Sequence, residues 1–299
     1  MPVKRRYLSR ERQAEFALIA VTVVWGLTFS LVKKSLEEMP PFVFMAYRFA
    51  LAFLVMAAVS LRRIREMDRG TLAAGSLLGL FLYGAYSLQT IGLKYTSAGN
   101  AGFITGLFVV FVPVLSTVFL RKRPGARSVI SVVMATAGLA LLSLQPGEGI
   151  NLGDALVLGC AFTYSLHIIF MDRFVQRHDL VLLTLVQMGV VTFLHTASGL
   201  IFEDFSFPTG GFVWMTIAVC GVLASAVAFF VQAWAQKVIS PVRTSVVLIM
   251  EPVFSVLFGI WLLGERLSWR GWLGCTIMLA AMFVTEINPE TAPSGSEPH

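Results

Sequence analysis

Apolar runs of about twenty residues, separated by short charged or Pro/Gly-rich breaks, recur along the whole chain and constrain its fold more than any motif does. They fall at 15–33, 41–61, 72–93, 98–120, 128–145, 152–171, 180–202, 212–236, 242–264 and 270–287. A helix needs about 20 apolar residues to cross the hydrocarbon of a bilayer, and each run is near that length. The breaks hold turn and charge signals such as Arg62-Arg63-Ile64-Arg65, Pro146-Gly147-Glu148-Gly149 and Ser240-Pro241. A soluble domain is excluded by composition. The 299 residues are 57% hydrophobic and only 13% charged, against about 25% charged in a typical soluble domain, too little polar surface to cover a globule of this size. The expected fold is an all-α polytopic membrane protein with ten transmembrane helices.

The net charge of +6 is spread along the loops, and no basic face interleaved with aromatics points to nucleic acid. Residues 1–14 form a basic N-terminus, and the run after it is long, lacks a small-residue cleavage pattern and is followed by Lys33-Lys34, so it reads as a retained first helix. With that terminus inside, sixteen Lys and Arg fall in the inner segments and five in the outer ones. The positive-inside rule then puts both termini in the cytoplasm, with 288–299 as a disordered tail. Cys160, Cys220 and Cys275 each lie inside an apolar run with no metal-ligand spacing, so neither a disulfide framework nor a metal site is expected.

The two halves resemble each other. Gln89, Lys94 and Ser97 align with Gln232, Lys237 and Ser240 at an offset of 143, while Trp25 pairs with Tyr164 and Arg48 with Gln187 at an offset of 139. A longer loop near Glu203 to Gly211 fits the four-residue difference. Five helices per half is odd, so the second half inserts upside down. Charge follows: the loops at 62–69 and 121–127 hold four basic residues each, their counterparts near 203–211 and 265–270 none and two. The repeats span 15–145 and 150–287.

Within the spans, ionisable groups stand out, because each costs about 2.5–3.5 kcal/mol at the centre of a membrane helix. Glu251 is the one acidic residue near the middle of a run, directly before Pro252. It is a candidate proton carrier, a contact for a substrate amine, or half of a structural ion pair. Arg48 lies a third of the way into the second run, where a substrate carboxylate or a helix-end carbonyl could satisfy it. Arg243, one turn into the ninth, can snorkel to the interface. His167 and His195 fall in the sixth and seventh runs, with His167 the second coupling candidate. Pro113 and Pro252 each remove a backbone hydrogen bond and are candidate hinges or cavity-lining breaks. Gly75-x-x-x-Gly79 and Gly102-x-x-x-Gly106 speak to close helix packing. Amides and aromatics, including Trp25, Tyr86, Gln89, Tyr164, Gln187 and Gln232, would suit an amphipathic solute. No HExxH, GxSxG or Walker A sequence occurs, so neither an enzyme nor an ATP-driven pump is expected, and no cofactor or metal.

Trp25-Gly26 in the first run, Tyr47-Arg48-Phe49 in the second, Gly92-Leu93-Lys94-Tyr95-Thr96-Ser97-Ala98 before the fourth, and Met250-Glu251-Pro252-Val253 through Leu263-Gly264-Glu265-Arg266-Leu267 resemble the EamA family of the drug/metabolite transporter superfamily. The first repeat departs from the pattern, with Arg121-Lys122-Arg123-Pro124 in place of a Gly-Glu-Arg and Pro113 four residues later than Pro252 predicts. The resemblance implies a ten-helix inverted-repeat carrier of the bacterial inner (plasma) membrane with a central cavity, exporting amino acids, related metabolites or toxic compounds. It leaves the oligomeric state open and is compatible with a monomer. Trp25, Arg48, Tyr86, Gln89, Tyr164, Gln187, Gln232 and Glu251 are the expected solute-facing residues. A non-transporting scaffold or receptor would instead have a filled centre, and an intramembrane enzyme would need Glu251 beside His167 or His195.

Overall fold

The computed structural model describes residues 2–96, 98–121, 124–143, 151–263 and 268–286. Within the described residues each predicted run coincides with helix. The first half comprises α1 (Pro2–Ser35), α2 (Pro41–Ser60), α3 (Arg69–Gly92), α4 (Ala98–Gly106), α5 (Phe108–Phe119) and α6 (Ala126–Ser143). The second comprises α7 (Leu152–Val175), α8 (Leu180–Phe202), α9 (Gly211–Ala218), α10 (Ala228–Gln236), α11 (Pro241–Leu248), α12 (Met250–Leu263) and α13 (Trp269–Glu286). Two spans are divided, the fourth at Leu107 into α4 and α5 and the ninth at Ile249 into α11 and α12. The eighth stays helical but passes through a wide π-helical segment, Val219–Val227, between α9 and α10. The expected tail at 288–299 and the Gly264-Glu265-Arg266-Leu267 motif lie outside the described residues.

Helix starts are written locally. Asp68 accepts the Thr71 amide ahead of α3, Asn151 and Asp154 form a reciprocal capping box on α7, and Asp179 accepts from Val181 and Leu182 on α8. Each satisfies a first-turn N–H that has no intrahelical partner. Pro41 and Pro241 open α2 and α11, where a missing N–H costs nothing. The hydrogen bonds from the Thr71 hydroxyl and amide hold the Asp68 carboxyl below the usual carboxylate range.

The halves interlock. The strongest packing runs between them and comes in mirrored pairs: α1 on α12 with α4 and α5 on α7, α3 on α8 with α2 on the π segment, and α3 on α7 with α1 on α10. The pairs α2–α8 and α6–α13 are their own mirrors. This is the contact pattern of two repeats about a twofold axis, and Gly79 and Gly221 display it atom by atom. A Cβ on Gly79 would lie 3.0 Å from the Gln187 carbonyl and 2.7 Å from Val190 Cβ, and one on Gly221 would lie 2.8 Å from the Arg48 carbonyl and 3.0 Å from Leu51 Cβ. Of the small-residue motifs, Gly75 and Gly79 both press on α8, whereas Gly102 has nothing within 4 Å.

Helix starts refine the repeat. Pro41 and Leu180 are 139 apart, Arg69 and Gly211 are 142 apart, and Ala98 and Pro241 are 143 apart. The loop after α8 therefore supplies three of the four extra residues. The fourth lies between the starts of α9 and α11, where the π segment takes it up: one residue inserted into a helix is accommodated as a wide turn.

The described loops fall at two ends. At the basic end Arg63 pairs with Asp179 at 2.7 Å, and Arg243 bridges α11 to α1 through Glu11, at 3.1 Å, and Glu15. At the opposite end Glu203 accepts the Val43 amide at 3.1 Å, and Tyr47 packs against Phe205, Phe207 and Trp214. Burial holds the Glu203 carboxyl above its ordinary range. Between the ends, large apolar side chains such as Phe16, Phe193, Ile201 and Trp261 point outward at 70–77% exposure, a surface suited to lipid.

Candidate functional site

A cavity with about 590 Å³ of atom-free space, the open volume at its mouth included, lies among α1, α2, α3, α4, α7 and α12. Its residues sit in the half of the bundle toward the end opposite the basic one. Arg48 is seven residues into α2 from that end, and Gln89, Thr90 and Leu93 close α3 there. Trp25, Arg48, Tyr86, Gln89, Tyr164 and Glu251 line it together, with Thr28, Met45, Thr105 and Cys160 between them.

Arg48 is 3% exposed and is held by neutral groups. Its Nε donates to Ser225 Oγ at 2.9 Å and one terminal nitrogen to Tyr86 OH at 3.2 Å. Its guanidinium lies over the Tyr86 ring at 4.6 Å and the Phe49 ring at 5.3 Å, positions in which the negative ring faces attract a cation. No carboxylate pairs with it within salt-bridge distance among the described residues. Glu251 lines the same cavity from the first turn of α12, just past the break at Ile249. The cavity thus holds one cation and one carboxylate that do not touch.

Close packing sets the Glu251 backbone. A Cβ on Gly26 would lie 2.7 Å from the Ser255 nitrogen and 3.0 Å from the Glu251 carbonyl, so α1 and α12 meet backbone to backbone. In the mirrored contact Ser165, 139 residues after Gly26, donates its hydroxyl to the Ala161 carbonyl of its own helix at 2.7 Å and lies 3.5 Å from the Phe108 carbonyl. Phe108 is therefore the counterpart of Glu251.

An aromatic layer floors the cavity. Trp25 packs edge-on to Tyr164 at 6.2 Å and against Phe229 at 5.5 Å, and Phe108 packs edge-on to Tyr164 at 5.5 Å. The Trp25 indole donates to the Ala224 carbonyl at 2.8 Å. Both that carbonyl and the Ser225 hydroxyl holding Arg48 belong to the π segment.

The remaining predicted residues lie elsewhere. Gln187, Gln232 and His167 are fully buried beyond the aromatic floor. His167 Nε2 and Gln187 Oε1 are 2.9 Å apart, and Gln232 accepts from Tyr164 OH at 3.0 Å. His195 contacts the Val191 carbonyl and Ser87 and stacks on Phe49. Among the described residues neither histidine hydrogen-bonds Glu251. Pro252 falls three residues after the break at Ile249, whereas Pro113 sits inside α5, six residues past the break at Leu107. Among the positions that sequence reasoning did not assign to the site are Ser225, Cys160 and Phe108; only their place in the fold brings them there.

The model of the EamA-like transporter family matches residues 12–144 and again 151–287. The chain belongs to the EamA-like transporter family. It is 30% identical over 285 residues, 95% of this chain and 87% of the relative, to an uncharacterized transporter of Archaeoglobus fulgidus. It is 27% identical to the uncharacterized transporter YcxC of Bacillus subtilis, covering 94% of this chain and 95% of that one. A crystal structure of a protein 20% identical superposes over 92% of this chain and 98% of its own with a TM-score of 0.78, a likeness of fold. The chain is a multi-pass membrane transporter for a small-molecule solute.

Proposed function

We propose that the chain is a secondary carrier that exports small metabolites bearing both a carboxylate and an amine, amino acids or related amphipathic compounds, by alternating access and without ATP. One observation carries the reading: Arg48 and Glu251 face one open cavity without contacting each other, with aromatic walls between. A zwitterion bridging them would give each charge a partner, where separate buried charges are costly. Tyr86, Trp25 and Tyr164 offer faces for the apolar part of the solute, and Gln89 an amide near the mouth. With both termini cytoplasmic in the inner membrane, as the sixteen basic residues of one side support, the cavity opens away from the cytoplasm. The breaks at Leu107 and Ile249, the latter beside Pro252, are places where the fourth and ninth spans can bend as access changes. Glu251 is the group we assign to proton coupling.

The test is flux through vesicles holding the purified chain and loaded with single radiolabelled amino acids. Flux above empty vesicles for at least one zwitterion, inhibited by other zwitterions and not by the matching amine or acid alone, is the expected outcome. Folded protein that accelerates none of them would sink the proposal.

A further inference from the structure

The twofold axis gives the cavity a counterpart. Thr28, Arg48 and Gln89 line the open cavity, and their repeat mates are His167, Gln187 and Gln232. All three mates are fully buried, in the half of the bundle toward the basic end, with Gln187 seven residues into α8. They form one polar cluster among α7, α8 and α10 behind the aromatic floor. Tyr164 belongs to both sides: it lines the cavity, stacks on His167 at 5.8 Å and donates to Gln232.

This cluster is not closed on itself. With the His167–Gln187 contact made, His167 Nδ1 and Gln187 Nε2 have no partner, although both side chains are fully buried. Turning the amide over swaps donor and acceptor but still leaves one ring nitrogen and one amide atom bare. A structural polar network in hydrocarbon gains by completing its bonds, and an incomplete one is costly to keep. Neighbouring amides have a partner at both ends: Gln232 accepts from Tyr164 and donates to Gln236, and Gln236 Nε2 donates to the Ile168 carbonyl. Within the cluster the bare atoms fall on the two residues whose mates, Thr28 and Arg48, face the open cavity; elsewhere among the described residues the buried hydroxyls of Thr90, Ser116, Ser131 and Thr244 also lack a partner.

We infer that His167, Gln187 and Gln232 form a second, neutral solute station, shut in this state, that lines the pathway when it opens to the basic end. The inference rests on the alternating-access reading above. It assigns to the station the bonding of polar, uncharged parts of a solute, since its positions hold an imidazole and two amides where the open cavity has Arg48, and Phe108 where the open cavity has Glu251. Opening it requires the Arg243 pairs to Glu11 and Glu15 to part, because they tie α11 to α1 at that end.

Labelling with a charged, membrane-impermeant methanethiosulfonate reads the opening without any solute. The Gln187→Cys and Gln232→Cys variants, in vesicles of known orientation, are expected to react from the basic side only, and a Thr28→Cys reporter from the opposite side only. Peptide mass spectrometry assigns the site, so the three native cysteines can stay. In the His167→Phe/Gln187→Leu pair, flux of glutamine, whose side-chain amide is polar and uncharged, is expected to fall at least tenfold while Thr28→Cys still labels. Two results overturn the inference: Gln187→Cys and Gln232→Cys both inert from the basic side while Thr28→Cys reacts, or parental flux in the apolar pair. Labelling from opposite ends with no amino-acid flux would instead uphold the station and remove the solute class proposed above.

Discussion

Arg48 and Gln187 hold equivalent places in the two halves, as do Glu251 and Phe108, yet one set surrounds an open cavity with two charges and the other lies in a closed, neutral cluster. The backbone obeys the twofold axis closely enough that Gly79 and Gly221 touch mated residues. The chemistry does not. Symmetry in such a fold is a property of how helices pack, and it leaves side chains free to differ wherever packing does not depend on them. Confining charge to one side also limits cost, since every ionisable group at mid-membrane depth needs a hydrated or paired setting.

Substitutions that exchange the two sides test this contrast. The largest effect is expected at Gly26, where even Ala would push against the Ser255 backbone; overpacking of this kind costs about 1–3 kcal/mol, and a larger side chain leaves no room for α12. Gly26→Leu should abolish flux and lower yield of folded protein, whereas Ser165→Ala at the mated position should cost about 1 kcal/mol or less. Equal losses in thermal melts would break the comparison.

Arg48→Gln gives the first half the residue of the second. Loss of a charge-assisted bond of about 1.5–3 kcal/mol predicts solute affinity weaker by roughly ten- to a hundredfold. Binding measured on the purified variant checks it, with an amine lacking the carboxylate as control; the control should compete for neither protein.

Glu251→Gln removes the carboxylate and keeps the shape. Flux should lose its dependence on an imposed pH gradient, while exchange persists once the solute concentration is raised to offset the lost contact to its amine. Gradient dependence that survives unchanged assigns coupling elsewhere.

The smallest effect is at the helix caps, where Asp68 serves α3 but Gly210, with no side chain, precedes α9. Asp68→Ala should lower the melting temperature slightly. Because the folded carboxyl lies below the ordinary range, its contribution is present above the unfolded pKa and fades as pH falls through the folded one. The gap between parent and variant should therefore close in acid.

The spans were legible because hydrocarbon tolerates no unpaired backbone, which forces apolar runs of fixed length. Arg48 and Glu251 were legible because charge is rare there. Gln187 and Gln232 read from sequence as solute-facing like Gln89, yet lie behind the aromatic floor: residue type does not reveal which side of a pathway is open. Phe108 and Ser225 carried no signal of their own, since one is an ordinary apolar residue and the other gains its role from Arg48. The loop after α8 was given all four extra residues, because an insertion inside a continuous apolar run leaves no mark in composition.

That inserted residue has a mechanical meaning. A π turn is one residue of slack within a screw, and moving the slack along by one position turns the side chain it passes by about 100° while the helix ends stay put. The third span is an unbroken helix and has none to move. In the eighth, the slack sits where Trp25 and Arg48 are moored, at Ala224 and Ser225, so both moorings can be turned away without unwinding the helix or drawing its ends into the membrane.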